Sequence, residues 1–302
     1  MELGMVGLGK MGANMAERLL KGGHKVVGFD PNADARKLLE TKGSTSADSL
    51  EALVKALPSP RVVWVMVPSG AITDGTVDKL HALLAEGDTV IDGGNSNYKD
   101  TLRRAASYQD KKINYIDCGT SGGIWGLAEG YSMMVGGDEK AVDDIKAIFE
   151  TLAPGKDQGW GRVGPVGSGH FTKMVHNGIE YGMMQAYAEG FSILKHKTDF
   201  GLDLKQVGEI WRYGSVVRSW LLDLTTDALG KNPDMKGIAP YVVDSGEGRW
   251  TVDAAMELSV SAPVITLSLM ERYRSRDNDS FADKLLASMR NEFGGHAIKT
   301  EG

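Results

Sequence analysis

The sequence predicts an α/β protein, with a doubly wound sheet in the first half and an all-α domain in the second. Three observations carry this expectation. Short apolar runs alternate with helix-like spacing as far as Leu152; a glycine-rich stretch, Gly164-Pro-Val-Gly-Ser-Gly169, then interrupts the chain; beyond it long helical patterns replace the strand-like ones. Strands alternating with helices indicate a sheet built from crossovers, and long 3.6-period patterns without strands indicate packed helices.

The elements follow in order. Leu3–Val6 reads as a strand, followed by a glycine turn and a helix from about Lys10 to Leu20. Lys25–Phe29 is a second strand, and helical spacing near residues 34–41 and 48–56 leads to a third, Val62–Val67. Thr89–Asp92, Asn114–Cys118 and Tyr131–Val135 continue the series, and a helix over Asp138–Leu152 closes it; the sheet is expected to be parallel. The second half reads as helices over about Ser168–Lys195, Leu204–Tyr213, Val217–Gly230, Trp250–Arg274 and Phe281–Phe293. No internal repeat or low-complexity tract stands out.

At 302 residues the chain is long enough for two domains, each with its own core. Its 42% hydrophobic and 25% charged content is that of an average globular protein, whereas its 39 glycines are an excess. A single cysteine, Cys118, excludes an internal disulfide and suits a reducing compartment. A net charge of −6 without a basic stripe argues against nucleic acid, but not against an anionic small molecule, which needs only a local cluster of cations. No targeting signal is expected, and no apolar run approaches the roughly eighteen residues of a membrane span. A cytoplasmic protein with neither membrane nor metal site is expected.

Gly7-Leu8-Gly9-Lys10-Met11-Gly12 follows the first strand and opens the first helix. In that context GxGxxG marks a Rossmann-type dinucleotide site. The first glycine permits the tight turn, the second lets backbone approach a pyrophosphate, the third allows close helix–strand packing, and the helix N-terminus faces the phosphates. A purely structural glycine turn is the alternative. Asp30, ending the second strand, can accept hydrogen bonds from both ribose hydroxyls of NAD and would repel a 2′-phosphate. The nearest arginine, Arg36, comes about two helical turns later, so NAD is favoured over NADP. Val67-Pro68-Ser69-Gly70 and Asp92-Gly-Gly-Asn95-Ser96 end the third and fourth strands, where ligands collect in open α/β folds; both could line the nicotinamide, although strand-end loops are often rich in glycine and serine for structural reasons.

Phe171-Thr-Lys-Met-Val-His-Asn-Gly-Ile-Glu-Tyr181, read as a helix, stacks Lys173, His176, Asn177, Glu180 and Tyr181 on one face. A lysine and a glutamate about two turns apart can supply a base and an acid to one small molecule. A solvated polar face would show the same spacing.

This helix, Asp92-Gly-Gly-Asn-Ser-Asn-Tyr-Lys-Asp-Thr-Leu-Arg-Arg104, Ser121-Gly-Gly123 and Arg290-Asn-Glu-Phe-Gly-Gly-His296 together closely resemble the decarboxylating 6-phosphogluconate dehydrogenases, in their short form and over nearly the whole chain. The resemblance implies a dinucleotide-binding domain over residues 1–166 and a helical domain for substrate binding and oligomerisation, with a C-terminal tail, over residues 167–302. It implies that Lys173 is the base for the 3-hydroxyl of 6-phosphogluconate while hydride leaves for NAD; to act so, Lys173 must be neutral in the reactive complex. Glu180 then matches the acid that protonates C1 after CO2 departs, giving ribulose 5-phosphate. Asn177 and His176 match groups that orient substrate hydroxyls. Ser121, Gly122 and Gly123 would hold the carboxylate end, and Asn95 would stand between cofactor and substrate. Arg272 and Arg290 fall on positions for the phosphate, Tyr181 on a phosphate hydroxyl donor, and His296 on a substrate-binding histidine. Because the family's tail reaches a neighbouring subunit, a homodimer or homotetramer is implied.

The chain departs from the long-form pattern at Asp244-Ser-Gly-Glu-Gly-Arg-Trp-Thr251. Long members carry KGTGKWT there, with a lysine and a threonine on the phosphate; here those positions are Ser245 and Glu247, and Glu247 would repel a phosphate if it pointed inward. Arg249 is a candidate to compensate. Two other readings remain open: a β-hydroxyacid dehydrogenase for a small unphosphorylated acid such as 3-hydroxyisobutyrate, and a catalytically silent nucleotide-binding regulator.

Overall fold

The computed structural model describes residues 1–300; the last two residues of the expected second domain lie outside the described residues. Contacts divide the chain into two compact units, Met1–His176 and Asn177–Gly302.

The first unit is an eight-stranded sheet: β1 (Glu2–Val6), β2 (Lys25–Phe29), β3 (Thr45–Ser46), β4 (Val62–Val65), β5 (Thr89–Asp92), β6 (Asn114–Ser121), β7 (Ser132–Gly136) and β8 (Trp160–Gly164), in the order β3-β2-β1-β4-β5-β6-β7-β8. The chain returns across β1 between β2 and β4, so the order reverses there and the carboxyl ends of these strands open onto one edge. β3 to β6 are parallel, but β7 runs antiparallel to β6, which corrects the expectation of a wholly parallel sheet. Only the short turn from Gly122 to Tyr131 joins β6 to β7, too little chain for a parallel crossover. β7 and β8, joined by two helices, pair in parallel.

Two helices, Ala71–Leu83 and Tyr98–Gln109, lie where the sequence pattern names none. The first is rich in β-branched residues, which blunts its helical signal; the second starts at Asn97, whose side chain accepts from the Lys99 N–H. The helix expected over 138–152 breaks at Ile145 into Glu139–Asp144 and Lys146–Leu152. Leu3, Met5, Trp64, Ile91 and Phe149 lead one buried cluster of this unit and Leu53, Val63, Val65 and Leu80 the other. His24 is buried with Nε2 2.8 Å from Thr151 Oγ1.

The second unit holds most of the helix Ser168–His196, together with Leu204–Trp211, Trp220–Lys231, Glu247–Glu257, Pro263–Arg274 and Phe281–Gly294. The helix expected over 250–274 is two, because Pro263, without an N–H, can only begin a new helix after the turn at Ser259, where φ is 56°. Buried clusters are small here: Tyr181, Val252 and Leu269 form one, and Phe191, Leu222 and Leu229 the other. Among the described residues no helix is long and apolar enough to cross a membrane.

Candidate active site

The fingerprint glycines differ in what surrounds them. Gly7 has φ +92°, and a Cβ there would lie 2.2 Å from the Met66 carbonyl oxygen; a Cβ on Gly12 would lie 2.0 Å from the Gly7 carbonyl oxygen. A Cβ on Gly9 would meet nothing within 4 Å. Gly7 and Gly12 are thus small because protein presses on them, whereas Gly9 faces open space at the start of the helix Lys10–Lys21, where N–H groups are unpaired by side-chain caps. Leu8 lies within this turn, and Lys10 and Met11 open the helix that follows it.

Asp30 extends from the end of β2 to the same turn. Its Oδ2 accepts from the Leu8 N–H at 2.8 Å and its Oδ1 from the Asn32 N–H at 2.8 Å. Arg36 is closer than the sequence spacing implied: its guanidinium donates to the Asp30 carbonyl at 2.6 Å and to the Pro31 carbonyl at 3.3 Å, because the helix Ala33–Glu40 turns it back over the strand end. Val67, Pro68 and Ser69 leave β4 beside the first turn of the next helix, where Thr73 Oγ1 donates to the Pro68 carbonyl at 2.9 Å. These residues fit a dinucleotide: a backbone cradle, an anion-friendly helix end and a carboxylate braced by backbone N–H groups on one sheet edge.

The run from Asp92 to Arg104 proves to be largely a brace. Arg104, buried, donates to Asp92 Oδ2 at 3.2 Å, to Ser96 Oγ at 3.0 Å and to Asp74 Oδ1 at 2.7 Å. Hydrogen bonds from Arg103 and Arg104 hold the Asp74 carboxyl below the usual carboxylate range. Tyr115 donates to Asp92 Oδ2 at 2.9 Å, and burial, with Asp92 beside it, pushes this phenol well above its ordinary value. The brace presents Asn95 on the exposed tip of the loop.

Lys173 is 7% exposed, one turn and a half into its helix, with Nζ 3.3 Å from His176 Nδ1. Gly119 of β6 makes room for it: a Cβ there would lie 2.3 Å from Lys173 Cβ. The same strand ends at Ser121, followed by Gly122 and Gly123 with φ of 135° and 51°, conformations that favour glycine. Sequence reasoning missed the residues that seat this helix: Asp117, Thr101 and His170. A carboxylate inside an apolar strand was the available signal, since it must find donors when buried.

In the second unit Asn177 and Glu180 are half-buried and Tyr181 is buried. A Cβ on Gly248 would lie 2.3 Å from the Tyr181 ring, so the helix Glu247–Glu257 packs directly on it. The Arg272 guanidinium sits 3.5 Å from the centroid of that ring and donates to the Val243 carbonyl at 2.8 Å. The Tyr181 hydroxyl accepts from the Ser245 N–H at 3.3 Å, while the Ser245 hydroxyl donates to Glu247 Oε2. Ser245 therefore spends its one hydroxyl donor on Glu247. Arg249 is bound to Asp244 and to the Tyr273 hydroxyl, and Arg276 to the other oxygen of Asp244. Burial raises the Asp244 carboxyl, but these guanidiniums outweigh it and hold it below the usual range. Tyr181 and Arg272 are thus brought together; Arg290 and His296 lie exposed on the last helix and the tail after it.

A glycine-cradled dinucleotide edge, followed by a helix that carries a buried lysine against Gly119, two residues before the strand ends at Ser121, is the arrangement of an oxidoreductase that uses a nicotinamide cofactor. The family model described as the NAD binding domain of 6-phosphogluconate dehydrogenase matches residues 2–163, and that of the 6-phosphogluconate dehydrogenase C-terminal domain matches residues 169–300. The chain belongs to the 6-phosphogluconate dehydrogenase family. A Bacillus subtilis protein, YqeC, is 44% identical over 299 residues, covering 99% of each chain. The NAD(+)-dependent, decarboxylating 6-phosphogluconate dehydrogenase of Haloferax volcanii is 42% identical over 299 residues, covering 99% of this chain and 98% of its own. The solved structure of Plasmodium falciparum 6-phosphogluconate dehydrogenase, studied apo, with its cofactor NADP+ and with its substrate 6-phosphogluconate, matches with a TM-score of 0.85 at 28% identity, over 100% of this chain and 66% of that one.

Proposed function

We propose that this chain oxidises and decarboxylates 6-phospho-D-gluconate to D-ribulose 5-phosphate and CO2 with NAD as hydride acceptor. The observation that carries the reading is the buried Lys173 seated on Gly119 of the strand that ends at Ser121, in a chain of this family. When bound, the nicotinamide accepts the hydride from C3. Lys173 takes the proton of the 3-hydroxyl, and after CO2 leaves it returns a proton to the carbonyl oxygen, stabilising the enediol; Glu180 protonates C1. Asn177 and His176 orient the hydroxyls, Asn95 stands between coenzyme and substrate, and Ser121, Gly122 and Gly123 receive the carboxylate.

Asp30 supports NAD as the preferred form, since its carboxylate would repel a 2′-phosphate. The Haloferax relative is named as NAD(+)-dependent, in keeping with this reading. The phosphate falls to Tyr181 and Arg272, with Arg290 and His296 supplied by the tail of a second copy in a homodimer or homotetramer. Their exposure here and that of Val216, Ile193 and Val264 on the helical unit support such an assembly. We place the enzyme in the cytoplasm, with no nucleic-acid partner.

The test is a side-by-side assay of 6-phosphogluconate with NAD and NADP, with trapped CO2 measured. NADH formation without CO2 release would sink the mechanism, and an Asp30→Ala variant that keeps the coenzyme preference would sink the role of Asp30. The Ser245–Glu247 pair favours one alternative, oxidation of a small unphosphorylated acid; including 3-hydroxyisobutyrate in the panel decides it.

A further inference from the structure

Asp117 is fully buried at the middle of β6 and makes its hydrogen bonds to a different element. Its Oδ1 accepts from the Gly167 N–H at 2.7 Å and its Oδ2 from the His170 N–H at 2.8 Å. These donors flank the first turn of the helix that carries Lys173, so a strand supplies the cap that a helix normally finds in its own preceding loop. The local candidate, Ser168, does not serve: its buried hydroxyl makes no hydrogen bond among the described residues.

The same face of β6 continues toward the site. Strand side chains alternate, so Asp117, Gly119 and Ser121 point one way and Cys118 and Thr120 the other. Asp117 holds the helix start, Gly119 receives the root of Lys173, and Ser121 begins the turn expected to hold the substrate carboxylate. The fit has no slack. A Cβ on Gly169 would lie 2.7 Å from the Asp117 carbonyl oxygen, and one on Gly136 would lie 2.4 Å from Asp117 Oδ1. Sideways motion is limited by His170, whose Nδ1 lies 2.7 Å from Thr101 Oγ1.

We propose that Asp117 is a positioning residue for the oxidation step, using β6 as a ruler that sets the Lys173 amine at a fixed distance from the Ser121-Gly-Gly123 turn. The inference rests on Lys173 being the base. Burial raises the Asp117 carboxyl from its ordinary value, opposed by the charge of the neighbouring His170 and by the two N–H donors, which favour the ionised form. Asparagine keeps the size but replaces one acceptor by an NH2 group, so one of the two N–H groups loses its partner.

The experiment compares full-length wild type with Asp117→Asn, Gly119→Ala and Lys173→Met in kcat, KM for each substrate, melting temperature and the isotope effect with 6-phosphogluconate deuterated at C3. A displacement of about 1 Å at a reacting group costs on the order of 100-fold in rate. Asp117→Asn is expected to lose about 10- to 100-fold in kcat, with KM for NAD within about twofold and a larger isotope effect as hydride transfer becomes limiting. A lower melting temperature with kcat per folded site and isotope effect unchanged would overturn the proposal, leaving Asp117 as a helix cap alone. If Asp117→Asn does not fold, Gly119→Ala decides on the same readouts, because its Cβ pushes directly on Lys173 Cβ without touching the Asp117 cap. Lys173→Met keeps the two readings apart: if it still oxidises substrate, the base assignment fails, whatever Asp117 does.

Discussion

The sheet unit and the helical unit solve the problem of burying apolar surface differently. In the first, both faces of the sheet are covered by helices, and Trp64, Leu53, Val65 and Phe149 have no exposed surface. In the second, the buried clusters are confined to residues such as Leu222 and Leu269, while Val216 is 100% exposed, Ile193 72% and Val264 66%. Folded monomers seldom leave so much large apolar surface on one unit without a use for it. The sheet unit thus buries its large apolar side chains within itself, whereas the helical unit leaves many of its own exposed, as the proposed assembly with a second copy would require. The proposed base belongs to the first unit and the proposed acid, Glu180, to the second.

The sharpest test of that contrast is chemical. Lys173→Met is expected to lower kcat by about 1,000-fold or more while NAD still binds, as read by coenzyme fluorescence; general-base catalysis contributes about 10²–10⁴. Glu180→Gln should instead permit one round of oxidation and slow turnover about 100-fold, seen as a burst of NADH. A burst in Lys173→Met, or none in Glu180→Gln, would break the division of labour.

Core truncation comes next. Leu53→Ala, in the sheet core, is expected to cost about 3–5 kcal/mol in denaturant unfolding, and Leu222→Ala in the helical unit about 2 kcal/mol, because fewer buried neighbours hold a cavity open there. Equal costs would mean that the helical unit is better packed than its exposed surface implies.

A smaller effect concerns the phosphate end. Glu247→Thr removes a carboxylate and frees the Ser245 hydroxyl, so KM for 6-phosphogluconate should fall by about tenfold, roughly 1.4 kcal/mol, with KM for NAD unchanged. An unchanged KM for both would place the phosphate elsewhere.

The smallest belongs to the sheet unit alone. Burial, with the N-terminal charge, lowers the pKa of His24 below its ordinary 6.5. The unfolded chain then binds the proton first, so the contribution of this residue is full above about pH 6.5 and is lost as pH falls toward the folded value. The melting temperature of wild type should drop more between pH 7 and pH 5 than that of His24→Gln.

Much of this architecture can be read along the chain. The strands from Leu3, Lys25, Val62 and Thr89 are where their apolar runs put them, because a strand buried on both faces is locally uninterrupted. The polar face at Lys173–Tyr181 follows from helical spacing alone. What resists reading depends on partners far away in sequence. Arg104 looks like one of two surface arginines until Asp92, Ser96 and Asp74 surround it. Arg36 looks remote from Asp30 until its helix folds back over the strand end. The break before Pro263 is marked locally by the proline, although the expected helix ran through it; the antiparallel β7 depends on how little chain is available for a crossover.

By itself, then, the sequence determined periodicity, the glycine cradle, the carboxylate after β2 and the order of ionisable groups on one helix, since each is a property of neighbouring residues and backbone geometry. Only the tertiary structure decided which of those groups are buried and what holds them. Asp117 is a cap for a helix fifty residues on, Gly119 is the seat of Lys173, and Ser245 is turned to Glu247. Hydrogen bonds and close packing act through space, and the chain carries no local mark of which distant donor a buried oxygen will meet.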